Sequence, residues 1–150
     1  MRIKIHPPII FLLALISNVL IIRFFDQFNY PRLGTEFMSY LIMGTGFILV
    51  ASALVSFRRV GTTVDPIEPE NANQLVTTGP YRFSRNPMYL SMVLLLVGLA
   101  FKNLNGLTLF PILAFMWFIT QNQIKPEEKA LREKFGEQYD KYCQRTRRWA

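Results

Sequence analysis

Three long apolar runs, at 8–25, 37–57 and 107–124, constrain this chain more than any other feature, because they carry almost no internal charge. A helix rises about 1.5 Å per residue and the hydrocarbon core of a bilayer is about 30 Å thick, so about 20 such residues cross it. All three runs qualify. A fourth run, 87–101, is shorter, but it shares a tight hairpin with the last long run through Lys102-Asn103-Leu104-Asn105-Gly106. Asn and Gly break helices there, so 87–101 is read as a fourth crossing, tilted or in a thinned bilayer. A hydrophobic share of 51% is ordinary for a soluble domain; the clustering, not the total, carries the argument. At 150 residues, 1–150 reads as a single all-α domain, a polytopic membrane bundle of four transmembrane helices.

The formal charge of +7 invites a nucleic-acid reading, and its placement argues against one. With both termini on one side, fourteen Lys and Arg fall on that side and only Arg23, Arg32 and Lys102 on the other. That asymmetry is the positive-inside bias; it puts both termini and the loop 58–86 in the cytoplasm. An integral membrane protein with membrane lipids as neighbours follows, and nucleic acid is not expected as a partner. The small size fits a bacterial or archaeal inner membrane, and a eukaryotic endomembrane is also compatible. Arg2 and Lys4 before an apolar run imitate a signal peptide, but the run exceeds an h-region, so a retained helix is expected. One cysteine, Cys143, forms no internal disulfide, and with one histidine, His6, no metal site is expected.

Within the first run, Ser17 and Asn18 need partners, so that face is expected to meet another helix or a polar cavity. The loop 58–86 holds Pro66, Pro69 and Pro80, which exclude a long helix; one short turn is expected at 71–74. After the last run, Pro126 fits the first turn of a new helix, 126–143. Leu131, Phe135, Tyr139 and Tyr142 recur at helical spacing and share one face, against Lys134, Glu137 and Lys141 on the other. An amphipathic cytoplasmic helix is expected, lying on the membrane or covering the bundle end.

Chemistry-bearing residues gather at the membrane lip. Gly79-Pro80-Tyr81-Arg82-Phe83-Ser84-Arg85-Asn86-Pro87-Met88-Tyr89 runs straight into the third run, and Glu127-Glu128 ends the fourth. Ionisable groups at such a place make a functional-site hypothesis. Read as structure alone, the arginines snorkel to phosphates, the tyrosines belong to an interfacial belt, and the glutamates favour the start of a helix. Read as function, Glu127 and Glu128 accept from hydroxyls or pair with an ammonium. Arg85 grips a carboxylate, and Tyr81 and Tyr89 stack on a base or face a cation. Gly79 allows a turn or a close backbone approach.

Thr77-Thr78-Gly79-Pro80-Tyr81-Arg82, Arg85-Asn86-Pro87-Met88-Tyr89, Glu127-Glu128 and Phe135-Gly136-Glu137-Gln138-Tyr139-Asp140-Lys141-Tyr142, in this order, resemble the isoprenylcysteine carboxyl methyltransferase family, whose wider relatives include membrane phospholipid N-methyltransferases. The likeness covers roughly residues 61–149. It implies S-adenosylmethionine as cofactor and a lipophilic or lipid-linked acceptor arriving from the bilayer. It implies Arg85, Asn86 and Tyr89 as catalytic. It implies Gln74, Leu75, Val76, Gly79, Tyr81, Arg85, Asn86, Tyr89, Glu127 and Glu128 as cofactor-binding.

One departure stands out: the family usually has histidine where this chain has Asn86. Asparagine does not titrate. A carboxylate acceptor is already ionised at neutral pH and needs no base, whereas an ammonium must first lose a proton. The departure tilts the expectation toward a carboxylate or thiol acceptor over a phospholipid amine. An NADPH-dependent membrane reductase, with Arg58 and Arg59 on a 2′-phosphate, and a non-enzymatic membrane scaffold are the remaining readings.

Overall fold

The computed structural model describes residues 6–30, 33–60 and 74–150. Helix α1 is Pro7–Phe24, α2 is Thr35–Val60, α3 is Pro87–Asn103 and α4 is Leu109–Ile119. A π-helical turn, Thr120–Ile124, joins α4 to α5, Lys125–Phe135, and α6 is Glu137–Arg145. Short 3-10 turns at Asp26–Phe28, Gly79–Arg82 and Gly106–Thr108 connect them, and no strand occurs among the described residues. Three helices are long and apolar enough to cross a membrane: Pro7–Phe24, Thr35–Arg59 and the continuous Gly106–Phe135. Helix α3 has 17 residues and is apolar but shorter.

The helices alternate in direction. Ser39 near the start of α2 donates to the Gly98 carbonyl near the end of α3, 2.7 Å away, so these two run antiparallel. The end of α1 meets the α3–α4 hairpin: the Tyr30 amide donates to the Asn103 carbonyl at 2.9 Å, and Asn105 Nδ2 to the Phe25 carbonyl at 3.0 Å. Asn105 is buried and also donates to Asn29 Oδ1 at 2.8 Å. The end of α2, the start of α3 and the start of α5 gather at the opposite end. Between these ends lies an apolar core of Ala14, Val93, Leu96, Ala100, Ile112, Phe115, Ile119 and Ile124. Outward-facing Leu13, Ile16, Ile48, Phe110, Leu113 and Trp117 remain exposed, the inverse of a soluble bundle and the pattern that lipid contact produces.

The α2–α3 contact is close because one of its residues is glycine. A Cβ on Gly98 would sit 2.4 Å from Met43 Cγ and 3.2 Å from the Ser39 carbonyl. Small residues at such crossings let helix backbones approach, which replaces the hydrophobic drive absent in lipid.

Two expectations need adjustment. The last run and the C-terminal helix are one continuous helix, not two; Pro126, which lacks an N–H and crowds the carbonyl four residues back, is accommodated by the π turn that precedes it. That helix then breaks at Gly136, whose φ of +51° no helix permits, so 126–143 is two segments. Asn18 is fully buried, but neither of its amide atoms has a hydrogen-bond partner among the described residues. The turn expected at 71–74 lies outside the described residues except for Gln74, which is exposed. Tyr139 is buried and Leu131, Phe135 and Tyr142 are half-buried, so the apolar face read from the sequence points inward.

Replacing Gly98 with Ala should destabilise the protein by about 1–3 kcal/mol, the usual cost of overpacking, through the contact with Met43. Thermal unfolding in detergent checks this, and Gly106→Ala, where an added Cβ meets nothing, is the control.

Candidate active site

The helix of Gly106–Phe135 has 30 residues, about 45 Å at 1.5 Å per residue, against a hydrocarbon thickness of about 30 Å. Its charged end, from Lys125 onward, therefore projects beyond the hydrocarbon. Glu127 and Glu128 lie in the first turn of α5, where the chain turns polar.

Glu128 is the hub. Its Oε1 accepts from Arg85 Nη2 at 2.8 Å and from Arg148 Nε at 2.9 Å, and its Oε2 accepts from Arg148 Nη2 at 2.7 Å. The Arg148 pair is bidentate, the geometry in which a planar guanidinium binds a carboxylate best. Burial by itself would raise the Glu128 carboxyl, but the hydrogen bonds and charges of Arg148 and Arg85 outweigh it and hold the group below its ordinary range. The side chains of Glu128 and Arg85 are each 13% exposed.

Arg85 does more than pair. Its Nη1 donates to the Thr146 carbonyl at 2.7 Å and to the Cys143 carbonyl at 3.4 Å, so it caps the end of α6, where carbonyls have no helical partner. Its Nε is buried with no partner among the described residues. The segment around it is laced to the tail after α6. The Arg85 amide donates to the Arg147 carbonyl at 2.9 Å, Ser84 and Arg147 form a parallel bridge, and Asn86 Nδ2 donates to the Arg148 carbonyl at 2.9 Å. Buried Asn86 thus holds the tail in place.

Glu127 has a different environment. Its Oε1 accepts from the Tyr89 hydroxyl at 2.5 Å. Burial pushes the Glu127 carboxyl up to about 7, against the pull of that hydrogen bond. Two neighbouring carboxylates are thereby split: one firmly ionised, one poised near neutrality.

Tyr81 is buried between Val76, Ala53 and Phe57, its ring edge-on to Phe57 at 5.3 Å. Its carbonyl accepts from the Tyr142 hydroxyl at 2.7 Å, which docks α6 on the loop. Gly79 has φ +62°, and a Cβ there would lie 2.5 Å from Ser56 Oγ on α2. Both the turn and the close approach expected of it are present, and the approach is to a helix of this chain. Leu75 is half-buried and Val76 buried beside this cluster. The described residues thus bring Arg85, Asn86, Tyr89, Glu127 and Glu128 together, with Gly79 and Tyr81 alongside on the loop. Gln74 is exposed.

Arg148 escaped the sequence reading, which counted it only as a positive charge. Ser84 and Thr146 escaped too. No spacing relates Arg148 to Glu128, twenty residues away; the one hint is Trp149 beside it, an aromatic residue that packs against the core.

The family profile described as phospholipid methyltransferase matches residues 35–138. Protein-S-isoprenylcysteine O-methyltransferase B of Arabidopsis thaliana is 27% identical over 142 residues, 94% of this chain and 71% of that protein. A probable protein-S-isoprenylcysteine O-methyltransferase of Oryza sativa subsp. indica is 30% identical over 113 residues, 73% of this chain but 59% of that protein. The corresponding enzyme of Saccharomyces cerevisiae is 36% identical over 73 residues, 49% of this chain and 30% of its own length. No solved structure matches. The chain belongs to the phospholipid methyltransferase family and is a membrane methyltransferase.

Removing the hub should loosen the whole end of the bundle. Glu128→Gln leaves two arginines without their carboxylate, and we expect a loss of roughly 1–3 kcal/mol in thermal unfolding at pH 7. Because the folded carboxyl sits below its ordinary value near 4.5, its contribution is full above that value and fades as pH falls through the lowered one. The difference between wild type and Glu128→Gln should therefore shrink on acidification to pH 3.

Proposed function

We propose that this member of the phospholipid methyltransferase family moves the methyl group of S-adenosylmethionine to a lipophilic carboxylate, such as an isoprenylcysteine-type carboxyl, or to a thiol. One observation carries the reading: a half-buried cluster of two arginines, two carboxylates and a tyrosine sits where the apolar helices end, in a chain similar to enzymes named isoprenylcysteine O-methyltransferases. Such a place is reached by a polar cofactor from water and by an apolar acceptor from lipid. The residues suit the cofactor's chemistry. The buried Arg85 Nε–H has no acceptor, which fits a carboxylate, and Glu127 has no cationic partner among the described residues, which fits an ammonium. Tyr81 and Tyr89 supply aromatic faces near that end, and Gln74, Leu75 and Val76 are assigned to the adenine side. S-adenosylmethionine, when bound, supplies an electrophilic methyl on a sulfonium.

The protein's part is positioning and exclusion of water. Arg85 and Asn86 fix the tail across the site, Tyr89 and Glu127 define its floor, and apolar walls keep it dry. Transfer between a cation and an anion neutralises charge, so a dry, ordered site favours it. An ionised carboxylate needs no base, consistent with Asn86 in place of histidine. We assign four crossings, counting α3, with both termini, the loop 58–86 and an amphipathic C-terminal segment in the cytoplasm, all in one domain.

Glu127 favours a second reading. A carboxyl near 7 can accept a proton from an ammonium, so a phospholipid amine acceptor is the alternative.

Calorimetry with S-adenosylhomocysteine on the detergent-purified protein tests the cofactor. Micromolar binding, weakened at least about tenfold in Glu127→Gln or Arg85→Ala, is expected from the loss of one charged hydrogen bond, at about 1.4 kcal/mol per decade. No binding to folded wild type would overturn the reading. For the acceptor, labelled methyl should pass to an S-prenylated N-acetylcysteine as a base-labile ester; label on phosphatidylethanolamine alone would select the amine reading.

A further inference from the structure

At the end of the bundle away from the candidate active site lies a cleft of about 370 Å³, lined by Val19, Ile22, Arg23, Asp26, Asn29 and Leu99. That volume is in the range of small-ligand sites, about 300–1,000 Å³. Its lining is graded. Val19, Ile22, Arg23 and Asp26 follow one stripe of α1 and the turn after it, at helical spacing, so the wall passes from apolar to charged along the helix axis. The gradient runs toward the end of an apolar helix long enough to cross a membrane, and so matches the passage from acyl chain to headgroup. Arg23 and Asp26 are exposed, and neither forms an ion pair among the described residues. Asn29, by contrast, is tied down by Asn105 and by the Ile22 carbonyl, which it reaches at 3.1 Å. The cleft therefore has a fixed back wall, and at its mouth a cation and an anion that pair with no other charge among the described residues.

We propose that this cleft binds a zwitterionic phospholipid with a primary ammonium, Arg23 holding the phosphate, Asp26 accepting from the ammonium, and an acyl chain lying along Val19, Ile22 and Leu99. A guanidinium suits a phosphate, and an ionised carboxylate suits an N–H donor that a choline headgroup lacks. The bound lipid is not the methyl acceptor. Leu99 is ten residues beyond Tyr89 on α3, about 15 Å along the helix, so the headgroup lies too far from the carboxylate–arginine cluster to react. The site is a second lipid position that braces α1 against α3.

Native mass spectrometry of the full chain tests this. The protein is released from detergent with equimolar dioleoyl phosphatidylethanolamine, phosphatidylcholine and phosphatidylglycerol, and separately with soluble phosphoethanolamine. Phosphatidylethanolamine adducts should dominate. Exposed charge pairs contribute up to about 1 kcal/mol, so Arg23→Gln should lower phospholipid adducts, and Asp26→Asn the phosphatidylethanolamine adduct, by about fivefold. Arg23→Lys should largely restore binding, and Arg59→Gln, at the other end, should change nothing. Both altered side chains are exposed, so folding should be unaffected, and an unchanged unfolding midpoint without lipid confirms it. Equal retention of the three lipids, or undiminished adducts in Arg23→Gln and Asp26→Asn, would overturn the proposal. Soluble phosphoethanolamine binding as well as the lipid would overturn the lipid assignment in favour of a free phosphate ligand.

Discussion

The Glu128 carboxylate is the point on which this end of the molecule depends. Three stretches of chain converge on it: α5, which carries it, the loop before α3 through Arg85, and the tail after α6 through Arg148. A half-buried carboxylate is costly unless its lone pairs are filled, and here three N–H donors fill them. The arginines are in turn constrained, because Arg85 also closes α6 and Arg148 offers its carbonyl to Asn86. Ion pair, helix cap and backbone bridge are therefore one network, and removing any member leaves charge or carbonyls exposed to a poor solvent.

That network carries two positive charges against one firmly negative one, so its net character is cationic. Glu127, the preceding residue, offsets this only in part, because burial raises its carboxyl to about 7. This excess of positive charge lies beside aromatic and apolar walls, at the end of helices whose outward faces are apolar. The Asn86 amide serves as a strut to the tail, a task for which a fixed donor is enough.

The opposite end is held mainly by neutral groups, with one exposed ion pair, Lys102–Glu36, at its edge. Asn105, Asn29 and backbone carbonyls knit the α3–α4 hairpin to the end of α1 without an ion pair in the knot itself. Between the ends, the apolar core and the Gly98 crossing fix helix directions with little polar help. Asn18 is the exception, a buried amide whose partner the described residues do not supply.

The apolar runs determined the helices by themselves, since a backbone in lipid must satisfy its hydrogen bonds internally and a run of sufficient length leaves little other choice. The motif from Gly79 to Tyr89 and the Glu127-Glu128 pair were legible for a related reason: polar groups at the end of such a run cannot be accounted for by the run itself. The sequence did not determine which of those groups would meet. Arg148 and Thr146 enter the site because the chain turns at Gly136 and α6 carries the tail back to the loop before α3, where they meet Glu128 and Arg85 and Ser84 pairs with Arg147. Pro126 does occupy the first turn of α5, as its place in the chain implied; residue identity did not decide that α5 would run on from α4 through a π turn without a break. Two adjacent glutamates are chemically identical in the chain; burial raised one to about 7 and pairing with two arginines kept the other ionised, because a carboxyl's charge is set by its surroundings and not by its sequence.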